Sequence, residues 1–383
     1  IAKMKILIIG GTGVLSADIL KKSIECGYNV SVLNRGHYNS QIPQNVTIYK
    51  ANIRDIEEVK VKVGKEKFDV VIDFLSFNVK HLQTSFEYFR DKCIQYIFIS
   101  SACVFRRKTE DGILLESSPK PNNELSYSIE KYECEVWLRD NAKETDCKYT
   151  IVRPYITYGN TRIPFGIAPL ARYHWTIVAR IMNDKPMFVW DNGTALCTLT
   201  HTEDFAYNFV QLYLNKKAFN EDINFVGDQV YSWQEMLETL YELLDKDKKN
   251  IVSIPTKKIA RILPCYKEFL IGDRSLNAVF DNTKLKECIP NYKQNISLKK
   301  GLEMILIYYK EHNFLNGIDY KYDARIDKLI KKENGINFDF IDYLNAHRIK
   351  DRVTYSIYRN WGETQLNQLR ILFHGIKKIM RLK

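Results

Sequence analysis

A tyrosine and a lysine one helical turn apart, Tyr127 and Lys131 in the stretch YSIEK, are the residues best suited to proton transfer. A free phenol titrates near ~10, which is too high for a general base at neutral pH. A neighbouring ammonium stabilises the phenolate and lowers that pKa. Because positions i and i+4 share one helix face, the spacing indicates that Lys131 could activate Tyr127.

The spacing alone is weak evidence, since the chain has 24 tyrosines and the same pattern occurs at Tyr88–Lys92 and Tyr213–Lys217. Tyr127 differs because Ser101 precedes it, at the end of the apolar run YIFISS. In an open parallel sheet the carboxyl ends of the strands face the ligand crevice. Ser101 could therefore hydrogen-bond the substrate oxygen whose proton Tyr127 takes. We predict that Ser101, Tyr127 and Lys131 form a catalytic set.

A glycine-rich turn follows the first apolar run, in IIGGTGVLS. Gly10 and Gly13 lie three apart where a strand would pass into a helix, and such a turn lets backbone N–H groups approach a pyrophosphate. Ser16, a small residue, stands where a third glycine is usual. We expect the turn to bind a dinucleotide through five residues: Gly10, Thr12, Gly13, Val14 and Leu15.

The second apolar run ends in VLNRG, where enzymes selective for NAD place a carboxylate. Here Asn34 and Arg35 replace it, and a guanidinium can bind a 2′-phosphate. The cofactor is predicted to be NADP or NAD, with NADP favoured; the alternative for Arg35 is a solvated loop cation. Asn52 and Ile53, after the third run, are predicted to hold the adenine ring.

Strand-like and helix-like segments alternate over the first 155 residues. The strands are Val/Ile-rich and nearly unbroken, as strands buried on both faces must be. They lie at 5–10, 29–34, 46–51, 69–74, 96–101 and 149–154. This alternation predicts an α/β Rossmann fold with a doubly wound parallel sheet.

The domain organisation follows from where this alternation stops. We assign 1–155 to the Rossmann domain, with 196–228 returning to it. We assign 156–195 and 229–320 to a smaller substrate domain, and 321–383 to an extra helical, basic C-terminal extension.

Composition bounds the class of protein. The 383 residues are 45% hydrophobic and 27% charged, and no apolar run is long enough to span a bilayer. Eight cysteines contain no C-x-x-C pair, which argues against a structural metal and a disulfide framework and favours a cytoplasmic location.

The net charge of +11 is concentrated at the C-terminus, where residues 321–383 hold 14 Lys+Arg against 7 Asp+Glu. The closing segment has an apolar stripe with cations mostly on its other faces. The stripe consists of Leu366, Leu369, Phe373, Ile376 and Met380. Packing on the body or on a partner subunit is favoured over peripheral contact with an anionic membrane, and nucleic acid is the least favoured.

Six stretches occur in an order typical of one family: GGTGVLS, SSACVF, YSIEK, VRPYITYG, HTEDFA and FDNTKL. In this combination, over residues 4–312, the chain resembles the extended short-chain dehydrogenase/reductases, the nucleotide-sugar epimerases and dehydratases. The resemblance implies a nucleotide-activated sugar as substrate, Ser101, Tyr127 and Lys131 as catalytic residues, and Lys131 as a ligand of the nicotinamide ribose. We also expect a homodimer.

Departures from the family pattern restrict the reaction. Family dehydratases follow the catalytic Ser/Thr with an Asp-Glu pair, where this chain has Ala102 and Cys103, which argues against 4,6-dehydration. SSAC also resembles a stretch of 3,5-epimerases in which the cysteine exchanges protons. Cys103 is therefore a candidate acid–base residue, although a small residue packed behind Ser101 is the favoured interpretation.

A second departure concerns the arginine that clamps the substrate diphosphate in many members, at whose place Cys197 stands. Arg162, Arg274 or Lys284 could substitute for it. The sequence thus predicts an NAD(P)-dependent epimerase or oxidoreductase of nucleotide sugars. The alternatives are an NADPH-dependent reductase of a keto sugar or another carbonyl compound, and a Rossmann-type protein that binds RNA through its basic tail.

Overall fold

The computed structural model describes residues 3–107, 112–313, 317–338 and 348–380. Its contacts divide the chain into two compact units. The first unit contains Ile1–Asn160, Leu196–Tyr231 and Leu276–Gly301, and the second contains Thr161–Ala195, Ser232–Ser275 and Leu302–Lys383.

The strands are β1 Lys5–Ile9, β2 Asn29–Asn34, β3 Thr47–Lys50, β4 Phe68–Asp73, β5 Cys93–Ile99, β6 Lys148–Arg153, β7 Ile156–Tyr158, β8 Met187–Trp190, β9 Leu196–His201, β10 Glu221–Asn224, β11 Val230–Ser232 and β12 Ile251–Ile254. The helices are α1 Val14–Glu25, α2 Ile56–Val63, α3 Val79–Phe89, α4 Ser126–Ala142, α5 Trp175–Met182, α6 Thr202–Phe209, α7 Trp233–Leu243, α8 Thr256–Ile262, α9 Lys267–Phe269, α10 Thr283–Cys288, α11 Leu298–Glu311, α12 Tyr320–Asn334, α13 Ile349–Asn360 and α14 Glu363–Met380.

The first unit is built on a seven-stranded sheet in the order β10-β6-β5-β4-β1-β2-β3. Every neighbouring pair in it is parallel. The strand order reverses beside β1, and such a reversal opens a crevice at the carboxyl ends of the strands. The predicted doubly wound Rossmann fold is confirmed.

Both faces of this sheet are buried, which explains the unbroken apolar runs. Ile6 and Ile8 of β1 pack in one apolar cluster with Ile19 of α1 and Phe205 of α6. The alternate residues Leu7 and Ile9 pack in a second cluster with residues of α2, α3 and α4. Alternation of side chains along a strand therefore fills two cores at once.

The segment 276–301 also belongs to the first unit, whereas the sequence analysis assigned all of 229–320 to the substrate domain. Ala278 and Phe280 form isolated parallel bridges with Cys197 and Leu114. The Asp204 carboxylate accepts hydrogen bonds from two backbone N–H groups of the returning chain, at 3.1 and 2.9 Å. These bonds hold the segment in the first unit. The spacing of apolar residues along the sequence gives no information about them.

The second unit contains a two-stranded parallel sheet, β8 with β12, and a buried cluster of four charged side chains. Asp323 and Asp327 of α12 face Arg180 of α5 and Lys185, at 2.5 to 2.9 Å. The Tyr355 hydroxyl of α13 donates to Asp327 at 2.5 Å. Each buried charge thus has partners of opposite sign, which such burial requires.

The residues called a basic extension therefore differ along their length. Helix α12 has Ala324, Ile326 and Ile330 fully buried and forms part of the second unit. In α14, Leu366 is buried and Leu369 half-buried. The side chains of Phe373, Ile376 and Met380, the rest of the predicted stripe, lie outside what the structure describes. No helix among the described residues is long and apolar enough to cross a membrane.

Asp323→Asn tests the cluster that holds α12. Removing one carboxylate leaves Arg180 and Lys185 under-compensated in a buried site, so the free energy of unfolding should fall by about 3–5 kcal/mol. The matched control Asp351→Asn changes a less buried carboxylate of α13 and should cost about 0.5 kcal/mol or less. Urea unfolding measures both, and equal losses would contradict a structural role for the cluster.

Candidate active site

Helix α4 carries Tyr127, Lys131 and Glu135 at positions i, i+4 and i+8, so the three lie on one face. Glu135 is fully buried and accepts two hydrogen bonds from Arg153 of β6, from Nε at 2.8 Å and from Nη2 at 2.6 Å. It also accepts one from the Ser100 hydroxyl at 2.6 Å. The face that carries the predicted acid–base pair is therefore fixed to the ends of β5 and β6.

Arg153 extends this network to a third strand. Its Nη2 also donates to Asp222 of β10 at 2.7 Å, and Arg139 of α4 donates to the same carboxylate at 2.6 Å. Burial by itself would lower the pKa of Arg153, but Glu135 and Asp222 raise it above its ordinary value. The guanidinium therefore stays charged and bridges α4, β6 and β10.

Lys131 is buried, with its ammonium at the carboxyl end of β5. The ammonium donates to the carbonyls of Ser76 at 2.7 Å and Ile99 at 2.9 Å. It lies 6.0 Å from the centre of the Tyr127 ring. Burial lowers the pKa of Lys131 to about 8, although nearby acidic groups oppose the shift. At neutral pH the side chain is thus still mostly cationic and close to the phenol.

Asp73, which the sequence analysis did not select, organises the turn that holds this ammonium. It ends β4, is fully buried, and accepts hydrogen bonds from the backbone N–H groups of Leu75 at 2.8 Å and Ser76 at 3.0 Å. The hydroxyls of Ser76 and Tyr96 donate to its other oxygen, each at 2.6 Å. Its signal in the sequence is a single carboxylate near the end of the apolar run DVVIDF.

Ser101 lies two residues beyond the end of β5 and caps a short 3-10 turn, Ala102–Val104. Its hydroxyl accepts a hydrogen bond from the Cys103 backbone N–H at 3.2 Å. Ser101 and Cys103 are both buried, while Tyr127 is half-buried. The structure thus places Ser101 and Lys131 at the end of the same strand, with Tyr127 one turn ahead of Lys131.

The two other Tyr-x-x-x-Lys pairs have different surroundings. Tyr88 and Lys92 both donate to the Gly64 carbonyl, at 3.1 and 2.9 Å. The Tyr213 hydroxyl is buried 2.8 Å from the Ser23 hydroxyl, and burial raises its pKa well above the ordinary value. Neither tyrosine follows a strand-end serine, and the choice of Tyr127 as the base stays a prediction.

The glycine-rich turn has the geometry that a pyrophosphate site requires. Gly10 has φ +91°, and a Cβ there would lie 2.8 Å from the Leu75 side chain, so only glycine fits. Ser16 donates to the Gly10 carbonyl at 2.7 Å and accepts from the Gly13 N–H at 2.9 Å, which closes the turn. Thr12, Val14 and Leu15 are half-buried where α1 begins. These residues fit a dinucleotide.

The adenosine end of the predicted site lies after β2 and β3. Asn34 is buried, and its Oδ1 accepts from the Gly36 N–H at 2.9 Å. Its Nδ2 meets no acceptor among the residues that the structure describes. Arg35 is exposed. The Asn52 N–H donates to Glu58 at 2.7 Å, and Ile53 is buried within the cluster of Leu7 and Ile9.

The candidate substrate arginines, Arg162 and Arg274, both belong to the second unit. Arg274 pairs with Asp273, and its Nε donates to the Gly166 carbonyl at 3.4 Å. Lys284, the third candidate, pairs with Glu221 in the first unit at 2.5 Å. Their role in substrate binding therefore stays a prediction.

No cluster of three or more His, Cys, Asp or Glu side chains suited to a metal occurs in the part of the chain that the structure describes.

The buried ammonium predicts a pH dependence of stability. The folded-state pKa of Lys131, about 8, lies below the ordinary value of 10.5. The unfolded chain therefore binds more protons between these values, and the free energy of unfolding due to this group rises with pH across that window. The difference between wild type and Lys131→Met should increase by about 2 kcal/mol from pH 7.5 to 9.5.

Urea unfolding at both pH values measures this difference, and Lys80→Met, an exposed lysine of α3, is the control. A constant difference between wild type and Lys131→Met across the two pH values would contradict the depressed pKa.

Comparison with known proteins assigns the family. The model of the family described as "NAD dependent epimerase/dehydratase family" matches residues 6–225 of this chain. Among curated proteins, the chain is 25% identical over 241 residues to the chloroplast stem-loop binding protein of 41 kDa b of Arabidopsis thaliana, which covers 60% of each chain. It is 21% identical to the 2'-dehydrokanamycin reductase of Streptomyces kanamyceticus over 306 residues, 79% of this chain and 84% of the relative.

Solved structures share the fold. A UDP-glucose 4-epimerase of Thermotoga maritima, with UDP-glucose, has a TM-score of 0.65 at 20% identity and covers 81% of this chain and 100% of its own. A UDP-glucuronic acid 4-epimerase of Bacillus cereus, with UDP-glucuronic acid and NAD, has a TM-score of 0.63 at 20% identity, over 81% and 100% of the two chains. The family match, which spans more than half of the chain, confirms the motif resemblance: this protein belongs to the NAD dependent epimerase/dehydratase family, enzymes that use a nicotinamide dinucleotide.

Proposed function

We propose that the protein is an NAD(P)-dependent oxidoreductase that acts on a nucleotide-activated sugar, with epimerisation at C4 as the net reaction. The observation that carries the proposal is the face of α4. Tyr127 and Lys131 lie on it, Glu135 fixes it to Arg153 at 2.6 and 2.8 Å, and the Lys131 ammonium lies at the end of β5.

In this proposal Tyr127 is the general base and acid. Its phenol takes the proton of a substrate hydroxyl and returns it in the reverse step, while Ser101 hydrogen-bonds the same oxygen and keeps it in line. The Lys131 ammonium favours the phenolate by its charge. The cofactor, when bound, supplies reversible hydride transfer.

Different residues are predicted to contact the different parts of the dinucleotide. Gly10, Thr12, Gly13, Val14 and Leu15 hold the pyrophosphate, Asn34 and Arg35 hold the adenosine ribose, and Asn52 and Ile53 lie towards the adenine. Because Ile53 is buried in an apolar cluster, it would support the loop on which the adenine is predicted to bind.

The residues after Ser101 support epimerisation over elimination. Ala102 is fully buried and cannot exchange a proton, so the acid and base groups that a 4,6-elimination needs beside Ser101 are missing at this position. Cys103 is buried, and a small residue that packs behind Ser101 stays the favoured interpretation over a proton-exchanging thiol.

Reduction of a keto sugar is the second candidate. Arg35 favours it, together with Asn34 Nδ2, a donor for which the described part of the chain offers no acceptor. Both suit NADP, which exchanges with the medium in reductases. The name of one relative, the 2'-dehydrokanamycin reductase, also supports reduction, and the match covers 84% of that relative.

Purified protein decides between the two reactions. Cofactor that stays bound through purification, with turnover of nucleotide sugars that needs none added, is the expected result for an epimerase. Strict dependence on added NADPH would replace epimerisation with reduction.

A nucleic-acid role is supported by the basic tail and by the name of the stem-loop binding relative, of which the match covers 60%. Its test must spare α12, because Asp323 and Asp327 compensate buried cations. Deleting 363–383 alone leaves that helix intact; loss of RNA binding with turnover retained would make the RNA contact a side activity of the tail.

Tyr127→Phe tests the catalytic assignment. Removing the hydroxyl should leave cofactor binding intact and lower turnover by on the order of 100- to 10,000-fold, the usual contribution of proton transfer. Tyr88→Phe is the control, since Tyr88 belongs to another Tyr-x-x-x-Lys pair and bonds Gly64. Steady-state rates with a panel of nucleotide sugars measure both variants, and near-normal activity of Tyr127→Phe would sink the assignment.

A further inference from the structure

Two cysteine thiols that the proposed reaction does not use lie side by side in the first unit. Cys93 begins β5, Cys147 comes directly before β6, and their Sγ atoms are 3.6 Å apart. The two strands are neighbours in the parallel sheet, with Gln95 opposite Lys148 in register. The fold therefore brings together two thiols that are 54 residues apart along the chain.

The arrangement of these two cysteines suits a disulfide. A disulfide needs its sulfurs about 2.0 Å apart and its Cα atoms roughly 4.4–6.8 Å apart. Neighbouring strands lie about 4.8 Å apart, which is within that range. Cys93 and Cys147 also pack in one apolar cluster, the one that contains Leu7 and Ile9. Small rotations of the two side chains would therefore be enough to close the bond.

The two thiols differ in their readiness to react. The hydrogen bond with Cys147, together with burial, raises the pKa of Cys93 well above its ordinary value. Cys93 therefore keeps its proton at neutral pH. A thiol attacks an oxidant as the thiolate, so Cys147 is the sulfur that reacts first and Cys93 the one that completes the disulfide.

A surface cavity of about 150 Å³ brings a small oxidant to Cys147. Cys147 is 1% exposed and is one of the residues that line this cavity, beside Thr145 and Lys148. One water molecule occupies about 30 Å³ of the liquid, so a molecule as small as hydrogen peroxide fits. The cavity lies at the amino end of β6, whereas Ser101 follows the carboxyl end of the neighbouring strand β5.

A third thiol, Cys134 of α4, packs in the same apolar cluster and provides a comparison. It is fully buried, and burial raises its pKa to about 12. Because the thiolate is the reactive form, Cys134 should stay reduced while Cys93 and Cys147 are oxidised.

We propose that Cys93 and Cys147 form a reversible redox site, which hydrogen peroxide oxidises to a disulfide. The Cys147 thiolate attacks one peroxide oxygen and becomes a sulfenic acid, and the other oxygen leaves as hydroxide. The Cys93 sulfur then attacks the Cys147 sulfur, and the sulfenic oxygen leaves as water. Two electrons pass from the sulfurs to the peroxide, and the two thiol protons end in two molecules of water. A dithiol reductant reverses the reaction by thiol–disulfide exchange.

The disulfide would join the amino ends of β5 and β6. A cross-link over 54 residues limits the freedom of the unfolded chain, so the oxidised protein should be more stable than the reduced protein. The inference does not depend on the proposed sugar substrate or on the choice between epimerisation and reduction.

Peptide mapping of the full wild-type chain tests the site directly. The protein is reduced with dithiothreitol, freed of it, treated with hydrogen peroxide, unfolded in N-ethylmaleimide and digested for mass spectrometry. We expect a cross-linked Cys93–Cys147 peptide that dithiothreitol separates, with Cys134 recovered as its maleimide adduct. Recovery of Cys93 and Cys147 as maleimide adducts, at a peroxide dose that oxidises the exposed Cys26 or Cys265, would overturn the proposal. Sulfinic acid at Cys147 without the cross-link would also overturn it.

Thermal unfolding of the oxidised and reduced forms measures the effect of the cross-link. Oxidation should raise the Tm of wild type by about 5 °C and leave the Tm of Cys93→Ala unchanged, since that variant cannot form the disulfide. Comparing the two forms of each variant removes the loss of packing that the substitution itself causes. Cys265→Ala, at an exposed thiol, is the control and should respond as wild type does. An equal shift in wild type and Cys93→Ala would contradict the proposed pair.

Discussion

The buried ion pair between Glu135 and Arg153 is the interaction on which the first unit depends. Both side chains are fully buried, and the guanidinium contacts the carboxylate at two points. Taking two charges out of water is expensive, and only such geometry with further hydrogen bonds offsets the cost. Here Ser100 and Asp222 supply those bonds, so the pair fixes the rotation of α4 against three strands.

The position of the Lys131 ammonium follows from this fixed rotation. With Glu135 held, Lys131 one turn earlier is directed to the end of β5 and meets two carbonyls. One of these, Ser76, is itself placed by the buried carboxylate of Asp73. Two buried carboxylates thus determine where the ammonium lies, one through the helix and one through the loop. The ammonium in turn determines the field at Tyr127.

The second unit is also held together by buried side chains of opposite charge. Its two buried cations and two buried aspartates fix α12 against α5, and α13 joins through Tyr355. This helix lies in the segment whose net charge marked it as an extension. Its aspartates are internal partners of Arg180 and Lys185, a role that the net charge of the segment does not indicate. Beyond this helix, the exposed apolar side chains include Ile336, and Ile349 and Val353 of α13.

The sequence by itself determined the sheet and the glycine-rich turn, and it predicts Tyr127 as the base among similar tyrosines. Strands buried on both faces need unbroken apolar runs, a positive φ at Gly10 needs glycine, and an i, i+4 pair after a strand-end serine is local information. The sequence did not determine the partners of buried charge. Asp73 and Glu135 are ordinary charged residues along the chain, and only the tertiary structure decided that Asp73 organises the turn after β4 and that Glu135 meets Arg153. The physical reason is that the role of a buried charge depends on the opposite charges that contact it, and these are distant along the chain. Arg153 lies 18 residues from Glu135, and Asp222 lies 69 residues from Arg153.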